Sequence, residues 1–268
     1  MTNLVPTAPP SAIAANPYLL VPRWPCGGAS SVPGTTTTVQ PGCASAKRLI
    51  FVRHAEGWHN KDYNEKPNYM ADGLGETEAY WDARLTPDGE EQSRRLSMKL
   101  QWRQQQQLLE LVVVSPLSRA VQTASLALPV IENWPRPPFV ATSLARERVW
   151  THQCDRRRPR HVLEKDFPHV DFSEVADGED EMWAVKEDAP HQLNSTACRK
   201  RGVALLDWLW KRPEKEILVC THWVFLLHLF SHYPEAEALS GNFSNAEMRM
   251  ATLMLRSHAQ TGSGKDEL

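Results

Sequence analysis

The 268-residue chain has no apolar run near the ~18 residues that a membrane-spanning helix needs. It has no surplus of either charge. Against 30 Lys and Arg stand 32 Asp and Glu, a formal charge of -2, which argues against a nucleic-acid surface. No CxxC pair is present. The 5 cysteines, Cys26, Cys43, Cys154, Cys198 and Cys220, are scattered and odd in number. Neither a zinc knuckle nor a disulfide framework is indicated, and a reducing compartment is the simplest reading. No internal repeat is visible. Residues 1–46 lack Asp and Glu and are rich in Pro, Ser, Thr, Ala and Gly, a composition that cannot bury a core. A charged start followed by an apolar core, as in a secretory signal, is missing, and the lone Arg23 is too little for a transit peptide. Yet the chain ends Lys265-Asp266-Glu267-Leu268, the endoplasmic-reticulum retention tetrapeptide, which acts only on a protein already in the lumen. The cytoplasm is the expected compartment, with the reticulum lumen and organelle import as alternatives. The Asn-x-Ser/Thr matches at Asn194 and Asn242 are of a kind that arises by chance.

Hydrophobic residues make up 41%, enough for a sizeable core. Four short apolar runs read as strands: Leu49-Ile50-Phe51-Val52, Leu111-Val112-Val113-Val114, Phe139-Val140-Ala141-Thr142 and Ile217-Leu218-Val219-Cys220, with Thr252-Leu253-Met254-Leu255 as a last one. Between them lie helix signals. Thr86 can cap, Pro87 suits the first helical position, and the helix predicted there runs to about Gln106. Ser115-Pro116 reads as a second cap-then-Pro start. Val203, Leu206, Leu209 and Trp210 form a core-facing stripe, and Val224–Phe230 is apolar enough for a buried helix. Lys61–Asp82 is polar and reads as a loop over the site. Alternation of strand and helix implies an α/β protein, a three-layer α/β/α arrangement with a mostly parallel sheet. The expected organisation is a disordered extension over 1–46, one domain over 47–256 and a flexible tail over 257–268.

Three strands end on chemistry: one on Arg53-His54, one just before Arg119, one on His222. In an open parallel sheet those ends share one edge, where ligand sites form. A phosphomonoester carries a charge of about -1.5 to -2 and needs guanidinium forks and helix N-termini to hold it. Arg53 and Arg119 fit the first role. The amides after Ser115 fit the second. Uncatalysed hydrolysis of such esters is among the slowest reactions, with enzymatic accelerations up to ~10²¹, and a covalent intermediate divides that barrier. A neutral His54 imidazole, its pKa lowered by the cations, is the candidate nucleophile. Glu147 is the candidate proton donor, with Glu56 and Asp82 near enough in principle. His222 is expected to hold a phosphate oxygen as an imidazolium.

These residues resemble a known family. Arg53-His54-Ala55-Glu56-Gly57-x-His59-Asn60 is similar to the signature of the histidine phosphatase superfamily, also called phosphoglycerate mutase-like, in its plant and fungal Arg-His-Ala branch. Further segments resemble it in order. They are Asp82-Ala83-Arg84-Leu85-Thr86-Pro87-x-Gly89, Val113-Val114-Ser115-Pro116-Leu117-x-Arg119-x-x-Gln122-Thr123, Arg146-Glu147 and Cys154-Asp155-x-Arg157-Arg158. Phe167-Pro168, Asp171-Phe172-Ser173, Thr221-His222 and Phe243-Ser244-Asn245-x-Glu247 complete the set. The resemblance covers about residues 47–256. It implies a phosphohistidine at His54, phosphate contacts from Arg53, Asn60, Arg119 and His222, Glu147 as the acid, and no cofactor or metal. One departure is Trp223-Val224 after the second histidine, where relatives usually have Ser or Gly followed by Gly. The indole would narrow the pocket or stack on a substrate ring.

Glu56, Trp223 and Arg157 are expected at the substrate rim. The cluster Arg156–Arg160 is a solvated face or a grip for a second anionic group. His59, His152 and His228 read as structural or rim residues, and no metal-ligand spacing joins them to carboxylates. The expected function is hydrolysis of a phosphomonoester of a small metabolite, with no nucleic-acid or membrane partner; the sequence names no oligomeric state. The alternatives are a phosphoglycerate-type mutase and a non-catalytic phospho-ligand binding module.

Overall fold

The computed structural model describes residues 17–22, 46–132, 135–186 and 196–256. The remainder of the 1–46 extension, the tail with its Lys-Asp-Glu-Leu end, Asn194, Cys26 and Cys43 lie outside the described residues.

The strands are Tyr18–Val21 (β1), Lys47–Arg53 (β2), Leu111–Val114 (β3), Phe139–Ala141 (β4), Val170–Asp171 (β5), Glu216–Thr221 (β6) and Met248–Leu255 (β7). The α-helices are Trp58–Glu65 (α1), Pro87–Gln105 (α2), Ser118–Ala127 (α3), Arg160–Asp166 (α4), Glu181–Val185 (α5), Thr196–Lys211 (α6) and Trp223–Ser231 (α7). They form one 7-stranded sheet in the order β1-β7-β2-β6-β3-β4-β5. β2, β6, β3, β4 and β5 are parallel; β7 pairs antiparallel with both β2 and β1.

Side chains of a strand alternate between the two faces, so a strand buried on both sides reads as a continuous apolar run. Leu49 and Phe51 join Leu205, Leu206 and Leu209 of α6 and Phe225 and Leu226 of α7 on one face. Ile50 and Val52 join Leu96 and Leu100 of α2 and Ala120, Val121 and Ala124 of α3 on the other. The expected three-layer α/β/α architecture is therefore present. Among the described residues no helix is long and apolar enough to cross a membrane.

Several local expectations are corrected. Tyr18–Val21, inside the extension read as disordered, is the edge strand, because Tyr18 and Leu20 bury against β7 and Tyr18 Oη donates to Asp207 at 2.6 Å. The start of the polar segment after Lys61 belongs to helix α1, none of whose residues is buried, which is why it shows no apolar stripe. The rest of that segment folds on Tyr69 and Tyr80, whose rings meet edge-on and cluster with Cys154. The segment after Val162, without visible period, contains most of α4, all of β5 and α5. Helix α3 begins at Ser118 rather than after a Ser115 cap, and its N-cap position is Leu117. β7 begins at Met248, ahead of the four residues read as the last strand.

The chain runs from β2 outward to β3, β4 and β5, then returns to place β6 between β2 and β3. That return is the topological switch point, and it sets the exits of the three central strands side by side. His54 N donates to Thr221 O at 2.9 Å, and Ser115 N to Cys220 O at 3.0 Å. The loop after His54 is held from the other side by α2. Thr86 caps that helix, its Oγ1 accepting from Gly89 N at 3.0 Å. A Cβ on Gly89 would lie 2.0 Å from the Glu56 carbonyl oxygen, so only glycine allows this approach. Gly89→Ala should destabilise the fold by about 1–3 kcal/mol in urea unfolding, the range for forced overpacking. A variant as stable as wild type would contradict the close packing of α2 on the His54 loop.

Candidate active site

His54 follows β2 and is buried, at 2% exposure. Its Nδ1 lies 2.7 Å from the Ala55 carbonyl oxygen. A carbonyl only accepts, so Nδ1 carries the proton and Nε2 keeps its lone pair. Arg119 Nε donates to that Nε2 at 3.2 Å. Burial, then the Arg119 and Arg53 cations and His59, hold the His54 pKa well below the usual imidazole value. The ring is thus neutral with Nε2 available as a base or nucleophile.

His222 is fully buried, its ring centroid 5.0 Å from that of His54. Its Nε2 lies 2.8 Å from Ser115 Oγ, while its Nδ1 is buried without a partner. Burial, Arg119 and His54 hold its pKa well below the ordinary value too. Burial first, then the Arg119 cation, works against the expected imidazolium and favours a neutral ring.

Arg119, in the first turn of α3, is 1% exposed. Its Nη1 donates to the Cys154 carbonyl and its Nη2 pairs with Asp155 Oδ1 at 2.9 Å. The fork read as free for an anion is thus engaged at both tips, and Nε faces His54. Arg53 is half-buried. Its Nη1 donates to Phe243 O at 2.5 Å, and its Nε is buried without a partner. The guanidinium lies 5.9 Å from the ring centroid of Trp223, the first residue of α7, whose Nε1 is also buried and unpartnered. Asn60 Oδ1 accepts from Gly57 N at 3.1 Å and from Asn245 Nδ2 at 3.4 Å; Asn245 Nδ2 also donates to His54 O at 3.1 Å. His59, read as a structural or rim residue, stands beside the nucleophile, with its ring 5.7 Å from His54 and its Nδ1 buried without a partner.

Glu147 Oε1 accepts from Phe225 N at 2.8 Å and Arg148 N at 2.9 Å, and Oε2 from Val224 N at 3.2 Å. The carboxyl caps α7, on the turn that His222 begins. Burial and Asp155 push its pKa above the ordinary range, against the pull of Arg119 and the backbone amides. The loop that carries it is fixed by Arg146, which is fully buried and bidentate to Asp180 at 2.5 and 2.7 Å. Arg201 of α6 adds a second anchor, donating to the Arg146 and Glu147 carbonyls at 3.0 and 2.9 Å.

One rim residue does not take the expected place. Arg157 is fully buried and donates to the carbonyls of Arg158, Ala176, Gly178 and Glu179 and to Glu181. It knits the 176–181 loop, because its two terminal NH2 groups meet a curl of inward-facing carbonyls. Glu56 Oε1 accepts from the Thr86 hydroxyl at 2.7 Å, at the start of α2. The other arginines of the basic cluster are paired: Arg156 with Glu78 at 3.2 Å, Arg160 with Glu164 at 2.7 Å, and Arg158 beside Asp82 at 3.6 Å. Sequence reasoning gave no role to Ser115, Thr123, Asp155 or Asn245 in orienting the site; all four stand in the quoted family segments, the one signal available.

Among the described residues one trio, His152, Cys154 and Asp155, places ligand-type atoms within 4.8 Å of one another, which the sequence spacing did not suggest. Asp155 is already paired to Arg119, and burial with Asp155 holds the Cys154 thiol well above its ordinary pKa. A cation there would face the Arg119 guanidinium.

Residues 49–253 match the family model of the histidine phosphatase superfamily, branch 1. The chain belongs to this superfamily. It is 32% identical to a phosphoglycerate mutase-like protein of Arabidopsis thaliana over 82% of this chain and 89% of that protein. It is 34% identical to phosphoglycerate mutase-like protein 1 of the same plant over 79% and 82%. Among solved structures, mycobacterial glucosyl-3-phosphoglycerate phosphatase in complex with VO3 aligns at 20% identity and a TM-score of 0.42, covering 76% of this chain and 92% of that one.

The neutral histidines make a testable statement about pH. A His whose folded pKa is depressed takes up fewer protons folded than unfolded, so stability falls as pH drops below the unfolded value of about 6.5. Nitrogen-15 NMR at pH 5.5 should show His54 and His222 neutral, with unfolding free energy falling from about pH 6.5 downward. An imidazolium at either position at that pH would contradict the site electrostatics.

Proposed function

We propose that the protein hydrolyses a phosphomonoester of a small metabolite through a phosphohistidine at His54. The observation that carries this is the His54 tautomer: a neutral ring with Nδ1–H on the Ala55 carbonyl and an Nε2 lone pair that accepts from the Arg119 Nε–H. Nε2 attacks phosphorus, an Nε2–P bond forms, and the ester P–O bond breaks. Arg53 through its unpartnered Nε, the Arg119 Nε–H, released from His54 Nε2 as that lone pair bonds to phosphorus, the amide of Asn60 and the unpartnered nitrogen of His222 hold the equatorial oxygens, where charge must be stabilised. With Ser115 Oγ–H as the donor in its pair with His222 Nε2, the ring proton sits on Nδ1, the nitrogen free to donate.

The leaving alkoxide needs a proton. Glu147 lies on the loop beside these groups, and its pKa is raised by burial and Asp155. Its Oε2 takes one amide against two on Oε1, so Oε2 is the oxygen for the transferable proton. A bound phosphate dianion would raise the carboxyl further. In the second half Glu147 accepts a proton from water, water attacks phosphorus, the Nε2–P bond breaks and inorganic phosphate leaves. The plant relatives are named for phosphoglycerate mutase, and product analysis separates the activities: free phosphate here, an isomerised ester in a mutase.

His54→Ala should abolish turnover, and Glu147→Gln should cut kcat by about 10²–10⁴ for an alkyl phosphate, the range for a lost general acid. For para-nitrophenyl phosphate, whose leaving group needs little help, the first-step loss should be far smaller, read as a retained burst of nitrophenolate. An equal loss of burst rate for both esters would contradict Glu147 as the donor.

A further inference from the structure

Asp82 is a charged group that the reaction above leaves unused. It is fully buried, at 0% exposure, and stands in the left-handed region at φ 48°. Non-glycine residues hold that conformation where their surroundings fix it, and Asp tolerates it better than most. Both of its carboxylate oxygens accept hydrogen bonds from one residue, with Arg158 Nε 3.6 Å from Oδ2. Oδ1 accepts from Ser118 N at 2.8 Å and Oδ2 from Ser118 Oγ at 2.5 Å. Ser118 opens α3 and directly precedes Arg119. No side chain of α3 itself caps the helix, so the first turn is held by a carboxylate 36 residues away in the chain. The Asp82 amide meanwhile donates to Gln153 O at 3.2 Å. That bond ties Asp82 to the turn whose next two residues, Cys154 and Asp155, receive the tips of the Arg119 guanidinium.

One residue therefore joins the backbone that carries Arg119 to the turn that receives it. We propose that Asp82 is a positioning residue for phosphoryl transfer: through Ser118 and Gln153 it sets the Arg119 guanidinium against His54 Nε2. The charged groups facing its carboxyl are Arg119 and Arg158, both cations. Burial pushes its pKa up to about 6, with the Ser118 donors and both cations opposing, so it is mainly ionised at neutral pH. Misplacing a group by about 1 Å costs on the order of 10²-fold in rate, so a positioning contact can matter as much as a direct one.

The proposal rests on Arg119 being a phosphate-holding group, and the test separates the two ideas. Asp82→Asn, Arg119→Ala and the double variant are assayed with para-nitrophenyl phosphate and with inorganic phosphate as inhibitor. Asparagine tolerates the left-handed conformation and still accepts from Ser118 N, but it puts an Nδ2 donor where Oδ2 accepted the Ser118 hydroxyl and removes the carboxylate charge. Asp82→Asn should lower kcat/KM by about ten- to hundredfold and weaken phosphate inhibition, with a thermal midpoint within about 5 °C of wild type. The double variant should fall no more than about twofold below Arg119→Ala, since the two act as one unit. A role in packing alone predicts losses that multiply. Asp82→Asn within twofold of wild type, or multiplicative losses, would overturn the proposal. Arg119→Ala with wild-type kinetics would instead overturn the reading of Arg119. If Asp82→Asn lowers the yield of folded protein, Ser118→Ala makes the same test: a severalfold loss that vanishes in the Arg119→Ala background supports it, and no loss overturns it.

Discussion

The hydrogen bond from His54 Nδ1 to the Ala55 carbonyl decides what this site can do. It fixes which nitrogen carries the proton and which carries the lone pair. The Ala55 peptide is in turn pinned, its N–H donating to Thr123 Oγ1 at 2.9 Å, while Thr123 Oγ1 donates to the Arg119 carbonyl at 2.7 Å. Helix α3 therefore governs both the tautomer of His54 and the cation beside it. The sheet brings these parts together, because the return of β6 between β2 and β3 places His54, Ser115 and His222 at one edge.

Several cations crowd a buried site whose own imidazoles are neutral. Taking charges out of water costs several kcal/mol per ion unless pairing and hydrogen bonds offset it. The offset here is local. Asp155 pairs with Arg119, Asp180 with Arg146, and the α7 amides hold Glu147. Despite burial, which works the other way, Arg146 and two backbone amides keep the Asp180 carboxyl below its ordinary pKa. Among the buried nitrogens without a partner, Arg53 Nε, His59 Nδ1 and His222 Nδ1 belong to residues beside His54. Unpaired buried polar nitrogens are expensive, and these three suit an anion that completes them.

The central strands were legible because burial on both faces leaves continuous apolar runs, and α2 because Thr86 and Pro87 announce its start. The site was legible as residue types at strand exits and as an ordered set of family segments. Other features left no trace of that kind. Ser115 reads locally as a cap, yet its partner His222 is 107 residues away. Arg157 looks like a surface charge, and its burial depends on backbone carbonyls that no side-chain pattern reveals. Helix α1 buries no residue, so it carries no periodicity. β1 is four residues of edge strand within a proline-rich stretch, and its partner β7 lies at the far end of the domain. The burial and cations that act on His222 come from separate segments, which no local pattern joins.

Phosphorus-31 NMR of enzyme quenched into alkaline denaturant during turnover tests the central claim most directly. The account predicts a phosphoramidate at His54 with phosphorus on Nε2, since Nδ1 is committed to the Ala55 carbonyl. Phosphorus on Nδ1, or no phosphohistidine in enzyme that is turning over, would contradict it.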